Sequence, residues 1–302
     1  MVELKGSRKY AAYTALFVAA FLVALRQTFP TEAVRERLVM EAAAQGWQLK
    51  VADTGPAGLL GVRFSAMSLE SRDGTRIPVE ELRASARILP LFLGRRGFDF
   101  DARLYDGRVQ GSWEERSGGR RWVLARASGL ELGKASALRK ATGLELGGTL
   151  AGELDVLLDG REPARSQGLV DLRLEKAALL GGQVQLASLG GALTLPRADL
   201  GQVLAHATIQ EGKAAFDKLE AKGADVEARG EGISVTLQPR LAYSPLFGKA
   251  QLKLQDSFWQ KSGTTGLKAV AEAALAPSRG RDGAYHFQVF GTLAQPQARP
   301  GQ

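Results

Sequence analysis

The residues of this chain that could act in catalysis or metal binding match no known motif in their spacing. The two histidines, His206 and His286, lie in the alternating stretches "LAHATIQ" and "AYHFQVF" and fit no metal-ligand spacing. No G-x-S-x-G elbow, Walker A loop or G-x-G-x-x-G fingerprint occurs. Cysteine is absent, which excludes disulfides and thiolate zinc or iron–sulfur sites. We therefore predict no catalytic, cofactor-binding or metal-binding residues and expect a protein that is not an enzyme.

The remaining charged groups favour a structural interpretation. Asp99 and Asp101 fall on one face of a strand pattern, which predicts a solvated edge rather than an acid/base pair. The stretch "GGRRW", residues 118–122, predicts a hairpin loop. The formal net charge is +8, but no run of Lys and Arg exceeds two residues. This pattern indicates the solvated outer face of a sheet, with anionic headgroups or an acidic protein surface as alternatives, and we expect no nucleic-acid partner.

An apolar stretch near the N-terminus predicts a membrane anchor. Residues 10–25 carry no charge and would form about 24 Å of helix, a turn short of the bilayer core. Lys9 and Arg26 can snorkel to the two interfaces. A signal peptide is the alternative, but the following "LRQTFP" lacks the small residues of a cleavage site. The basic flank, which includes Lys5 and Arg8, places the N-terminus in the cytoplasm.

The sequence patterns of the rest of the chain predict one helix followed by many strands. Thr31 can cap a helix and Gly46 can end it, which predicts a linker helix over 31–46. Beyond it, apolar and polar residues alternate, as in "FDFDARLY", between turn signals about 8 to 12 residues apart. Tyr105-Asp106-Gly107 gives the strongest hairpin signal. Only residues 133–142 and 266–275 have helical patterns.

These patterns predict a mainly β fold. We expect a cytoplasmic segment over 1–9, a transmembrane helix over 10–29, the linker helix, a large antiparallel, curled β-sheet over 47–294, and a flexible tail over 295–302, because Pro296 stops pairing. Small residues are frequent at inward positions, so the apolar face is expected to be long and shallow. The sheet can form either an open groove or a closed sandwich, since both architectures bury one face of the sheet.

Several stretches, taken in order, resemble the type II secretion system protein N (GspN) family. They are "GLLGVRFSAMSLES", "ARLYDGRVQGSW", "GLELGGTLAGELDV", "DVEARGEGISVTLQPRLAYSPL" and the closing "DGAYHFQVFGTLAQP". The resemblance covers roughly residues 10–300. It implies a non-enzymatic, single-pass protein of the bacterial inner membrane, with most of its chain in the periplasm. Other type II secretion subunits would then be its partners.

The β-rich part is also similar to AsmA-like and lipopolysaccharide-transport groove domains. That similarity implies an alternative function, a periplasmic lipid-binding or lipid-transfer module. The positive charge of the protein would bind the anionic headgroups of the lipid. The acyl chains of the lipid would contact the inward side chains, namely Phe64, Leu82, Ala84, Phe100 and Leu104.

Overall fold

The computed structural model describes residues 31–44, 46–58, 60–71, 74–186, 191–261 and 264–301. This described part of the chain is mainly β, with fifteen strands in one antiparallel sheet, as predicted. It divides into two compact units, residues 1–103 and 104–302. The expected cytoplasmic segment and anchor, residues 1–29, lie outside the described residues. Among those that are described, no helix has both the length and the apolar character needed to cross a membrane.

The first unit pairs its strands in sequence order and covers them with a helix. Its elements are α1 (Thr31–Ala44), β1 (Trp47–Pro56), β2 (Gly61–Ser71), β3 (Arg76–Ala86), α2 (Ile88–Phe92) and β4 (Gly97–Leu104), whose last residue crosses the boundary. Strands β1 to β4 form successive antiparallel pairs. Within the range 31–46 predicted for a linker helix, the structure has α1 over Thr31–Ala44, and Gly46, at φ +83°, lies in the turn into β1.

Helix α1 packs on a small buried core in this unit. The core consists of Val62, Phe64, Met67 and Val79, and Phe64 is 0% exposed. Two α1 residues that the sequence places on one helix face, Val34 and Leu38, pack against these four. The helix therefore removes the centre of this apolar sheet face from solvent.

The second unit is a longer series of antiparallel strands. Its elements are β5 (Gly107–Glu115), β6 (Arg120–Glu131), α3 (Ser136–Thr142), β7 (Leu144–Asp159), β8 (Gln167–Leu186), β9 (Gly191–Leu195), β10 (Ala198–Gln210), β11 (Lys213–Lys222), β12 (Val226–Thr236), β13 (Leu246–Leu254), α4 (Asp256–Trp259), α5 (Thr265–Leu275), β14 (Tyr285–Gly291) and β15 (Pro296–Pro300). Strand β8 is 20 residues long, so its first part pairs with β10 and its last part with β9. The helices α3 and α5 lie where the sequence predicts them.

The predicted turn before β5 is present, but glycine has a different role in it. Both Tyr105 and Asp106 have positive φ, +51° and +60°, which is the backbone of a type I′ turn. Gly107 already belongs to β5. A Cβ atom on Gly107 would lie only 2.5 Å from the carbonyl carbon of Gly129. Glycine is therefore needed there because two backbone segments approach closely.

The prediction of a free tail over 295–302 is wrong for residues 296–300, which form β15 and pair with β14. The Gly301 N–H donates to the His286 carbonyl at 2.9 Å. In an antiparallel pair, alternate residues direct their N–H groups to the partner, so positions 296 and 300 direct theirs away from β14. The N–H groups that Pro296 and Pro300 lack would therefore point to the outer edge of the sheet. The pairing of β15 with β14 does not need these N–H groups.

Candidate functional site

The strand register gives the second unit two chemically different faces. In one cross-strand row, Val123 pairs with Val156, Val156 with Gly168, Gly168 with Ile209, Ile209 with Ala214 and Ala214 with Val235. Directly paired residues lie on the same face of a sheet. This face, which we call the apolar face, continues along the strands through three more rows of apolar residues. Its first row is buried, with Val156 and Val235 each 4% exposed.

Two rows further along the apolar face are accessible to solvent. We call them the middle rows. They contain Ala127, Gly152, Leu172, Ala205 and Leu219 in one row, and Leu150, Leu174, Val203, Ala221, Ala228, Leu252 and Tyr285 in the other. Most of these side chains are half-buried, and Leu172 is 38% exposed.

Small residues keep the side chains of the first of these rows from projecting far above the sheet. Position 152 has no room for a side chain, because a Cβ atom there would lie 2.4 Å from the Asp171 carbonyl oxygen. Ala127 and Ala205 add only methyl groups to the same row. A shallow apolar surface of this kind can contact an extended hydrocarbon chain along its length, as a ligand site lined by apolar groups requires.

Helix α4 covers the far end of the apolar face. Phe258, at 6% exposure, packs against Ala198 and Val226. The helix is followed by Lys261, whose ammonium group forms an ion pair with the buried carboxylate of Asp225. The middle rows therefore lie between two covered ends, the buried first row and the Phe258 cluster.

Asp225 connects three parts of the second unit. Its carboxylate, in a residue 2% exposed, accepts hydrogen bonds from Lys261 and from the Asp199 backbone N–H. Burial by itself would raise the pKa of Asp225, but these two hydrogen bonds hold that pKa below its usual value. No local sequence pattern predicts the Asp225–Lys261 pair, because the two residues are 36 positions apart.

The opposite face of the second unit carries the charges. Arg126 donates to Glu153 at 2.6 Å across β6 and β7, and the Trp122 indole N–H donates to Asp155 at 2.8 Å. Lys218 and Lys222 both bond Glu220, and these two bonds lower the pKa of that carboxyl. The lysines and arginines thus alternate with the apolar residues, as the sequence pattern predicts for a solvated outer face.

Both histidines pair with single carboxylates. His206 Nδ1 lies 3.1 Å from an Asp171 oxygen, and His286 Nε2 lies 3.1 Å from an Asp282 oxygen. The bond from His286, together with the Ala284 N–H, lowers the pKa of Asp282. Within the described part of the chain, no group of three or more metal-ligating side chains comes together.

The charged groups singled out in the sequence also have structural surroundings. Asp99 and Asp101 pair across β4 and β3 with Ser85 and Arg83, so they lie on an internal strand and not at the expected edge. Of the "GGRRW" stretch, only Gly118 and Gly119 lie in the loop from β5 to β6, in a short 3₁₀ turn over Ser117–Gly119. The prediction of a loop is wrong for residues 120–122, which begin β6.

The five side chains expected to line a groove fall in different environments. Phe64 pairs with Leu82, and Ala84 pairs with Phe100, so these four share one face of the first unit. Phe64 is a core residue there, because α1 packs over its cluster. Leu104 is half-buried and belongs to the second unit. In the second unit, accessible apolar side chains lie in the middle rows, which the sequence indicates only through its frequent small residues.

Comparison with protein-family models, with curated proteins and with solved structures found no match to this chain.

Proposed function

We propose that this protein is a non-enzymatic, single-pass inner-membrane component of the type II secretion system, with its sheet in the periplasm. The observation that supports the proposal is the structural role of the stretches that resemble the GspN family. "ARLYDGRVQGSW" contains the turn into β5, "GLELGGTLAGELDV" lies in β7, and "DGAYHFQVFGTLAQP" contains β14 and the turn into β15. Each stretch is thus a strand or a hairpin of one sheet, in the order of the resemblance.

In this proposal the sheet supports export by binding other secretion subunits. The Leu241 and Tyr243 side chains are 50% and 63% exposed, and Leu293 is 45% exposed. These residues lie close together, because the Leu293 N–H donates to the Ser244 carbonyl and the Ala294 N–H to the Ala242 carbonyl. Exposed apolar groups of this kind suit a protein interface.

Deleting the gene in its host tests this proposal. Proteins that the type II system exports should then accumulate in the periplasm, and the full chain should restore their secretion. Tyr243→Asp should restore it poorly, whereas Thr236→Asp, at an exposed polar position, should restore it fully. Normal secretion from the deletion strain would contradict the proposal.

A second candidate function is the binding of lipid acyl chains, and the accessible middle rows favour it. The polar face is solvated and cross-linked by ion pairs, so the middle rows are the part of this sheet that gains most from covering by hydrocarbon. Lipids retained by the purified full chain, measured by mass spectrometry, test this function.

Two Ala→Asp substitutions on opposite faces form a matched pair for this test. Ala205→Asp puts a charge in the middle rows and should remove the bound lipid. Ala215→Asp puts the same charge at an exposed position of the polar face and should leave the lipid in place. Equal lipid content in both variants, with unchanged far-UV spectra, would contradict lipid binding on the apolar face.

A further inference from the structure

The connection between β3 and β4 holds apolar side chains out in solvent. Ile88, Phe92 and Leu93, which we call the apolar tip, are 50%, 84% and 64% exposed. The backbone around them is hydrogen-bonded, because the N–H groups of Leu93 and Arg95 both donate to the Pro90 carbonyl, at 3.0 and 2.9 Å. An ordered turn that exposes three large apolar side chains marks a surface that contacts something apolar.

The charge around the apolar tip suits an anionic lipid surface. From Arg83 to Phe98, both included, the chain contains four arginines and no Asp or Glu. Arg83 and Arg87 form ion pairs with carboxylates just outside this stretch, those of Glu81 and Asp99. The other two, Arg95 and Arg96, directly follow the tip and its Gly94 turn. Apolar side chains beside a cluster of cations bind membrane interfaces, where the side chains enter the acyl boundary and the cations meet headgroups.

The apolar tip also lies at the end of the first unit where helix α1 begins. Helix α1 packs on the sheet, and the chain turns at Gly46 directly after the helix to enter β1. Helix α1 and strand β1 therefore run in opposite directions. The start of α1 therefore lies toward the end of β1, near Pro56. Pro56 pairs with Val62, and Val62 with Ala84, next to the tip. In the sequence, Thr31 lies two positions after residue 29, the end of the proposed anchor.

We infer that the apolar tip inserts into the surface of the bilayer that holds residues 10–29, with Arg95 and Arg96 on anionic headgroups. This inference rests on the membrane anchorage in the proposed function. The protein would then contact its membrane at two places, the anchor and the tip. Two contacts fix the first unit against the membrane surface, whereas an anchor alone lets it rotate.

The cysteine-free sequence allows a direct test with single labels. Phe92→Cys, Gln48→Cys and Leu22→Cys are each introduced into the full chain and labelled with an environment-sensitive fluorophore. Gln48 is the matched control, because it is exposed and lies at the opposite end of the same strands. Leu22 reports the anchor. The protein is reconstituted into vesicles of phosphatidylcholine, with or without phosphatidylglycerol, that carry a quencher on their acyl chains.

The label at position 92 should shift its emission to the blue and lose intensity to the lipid quencher, more strongly with phosphatidylglycerol present. The label at position 48 should do neither. Quenching at position 22 without quenching at position 92 would overturn the inference and leave the anchor standing. A blue shift at position 92 without lipid quenching would also overturn it, because a protein partner or a second copy then covers the tip. If neither position is quenched, the membrane anchorage fails as well.

Discussion

Phe64 and Phe287 are aromatic side chains in similar alternating strands, yet they differ in burial. Phe64 is 0% exposed under α1, whereas Phe287 is only half-buried. Phe64→Ala should lower the free energy of unfolding by about 3–5 kcal/mol, the usual cost of deleting a buried aromatic ring. Phe287→Ala should cost about half as much, since less of its ring leaves water on folding. Denaturant midpoints of the full chain in detergent measure both, with the exposed Phe92→Ala as a control that should not move the midpoint.

Asp225 predicts how acid weakens the second unit. Its pKa is lowered in the folded protein, so protonation opposes folding. Its contribution is complete well above pH 3.8, the ordinary value for Asp, and is lost as the pH falls through 3.8 toward the folded pKa. Asp225→Asn should flatten this acid dependence and cost about 1–3 kcal/mol at neutral pH, since buried donors lose a charged acceptor.

Unfolding midpoints at neutral and acidic pH test the role of Asp225. The control is Asp256→Asn, which removes an exposed carboxylate from α4, the helix before Lys261, and leaves the Asp225–Lys261 pair intact. An Asp225→Asn variant with the wild-type pH dependence would show that this carboxylate is not the group that acid protonates.

At the scale of elements, β15 decides how the C-terminal end of the sheet is finished. Truncation after Ala294 removes β15 and opens the backbone groups of β14 that pair with it. We expect a lower unfolding midpoint and more aggregation, because an unprotected strand edge recruits other strands. A truncated chain that matches the full chain in both measurements would show that β15 adds nothing to the sheet.

A pair of proline substitutions tests the register of β15. The Gln297 N–H faces β14 and the Ala298 N–H faces away, by the alternation that the Gly301 bond fixes. Gln297→Pro should therefore lower the midpoint, whereas Ala298→Pro should be tolerated. The reverse order would mean that the strand is shifted by one residue.

At the scale of the whole molecule, packing and backbone pairing hold the fold. The sequence contains no cysteine, and the described residues bring no metal-binding cluster together. Neither a chelator nor a reducing agent should change the unfolding midpoint of the full chain, and its far-UV spectrum should stay that of a β protein. A drop in the midpoint on adding EDTA would show a structural metal ion.

Local sequence patterns were enough to predict most elements of the chain. Period-two alternation predicts a mainly β fold, and the cap and stop signals at Thr31 and Gly46 predict α1. Strands that pair with their neighbours in sequence are joined by short turns, so the same local signals that define the strands also define their order. The tail was mispredicted because a proline blocks pairing on only one side of a strand, and its sequence does not say which side faces the partner.

The candidate site depends on contacts between distant residues, which only the tertiary structure decides. Alternation makes one face of the second unit apolar, but burial of its first row, exposure of Leu172 and covering of its end by Phe258 depend on which strands and helices meet there. The same holds for the pairing of Asp225 with Lys261 and for the outward position of Phe92. Sequence periodicity defines which side chains share a face, because it is a local property of a strand, whereas solvent access to that face is set by elements far away in the chain.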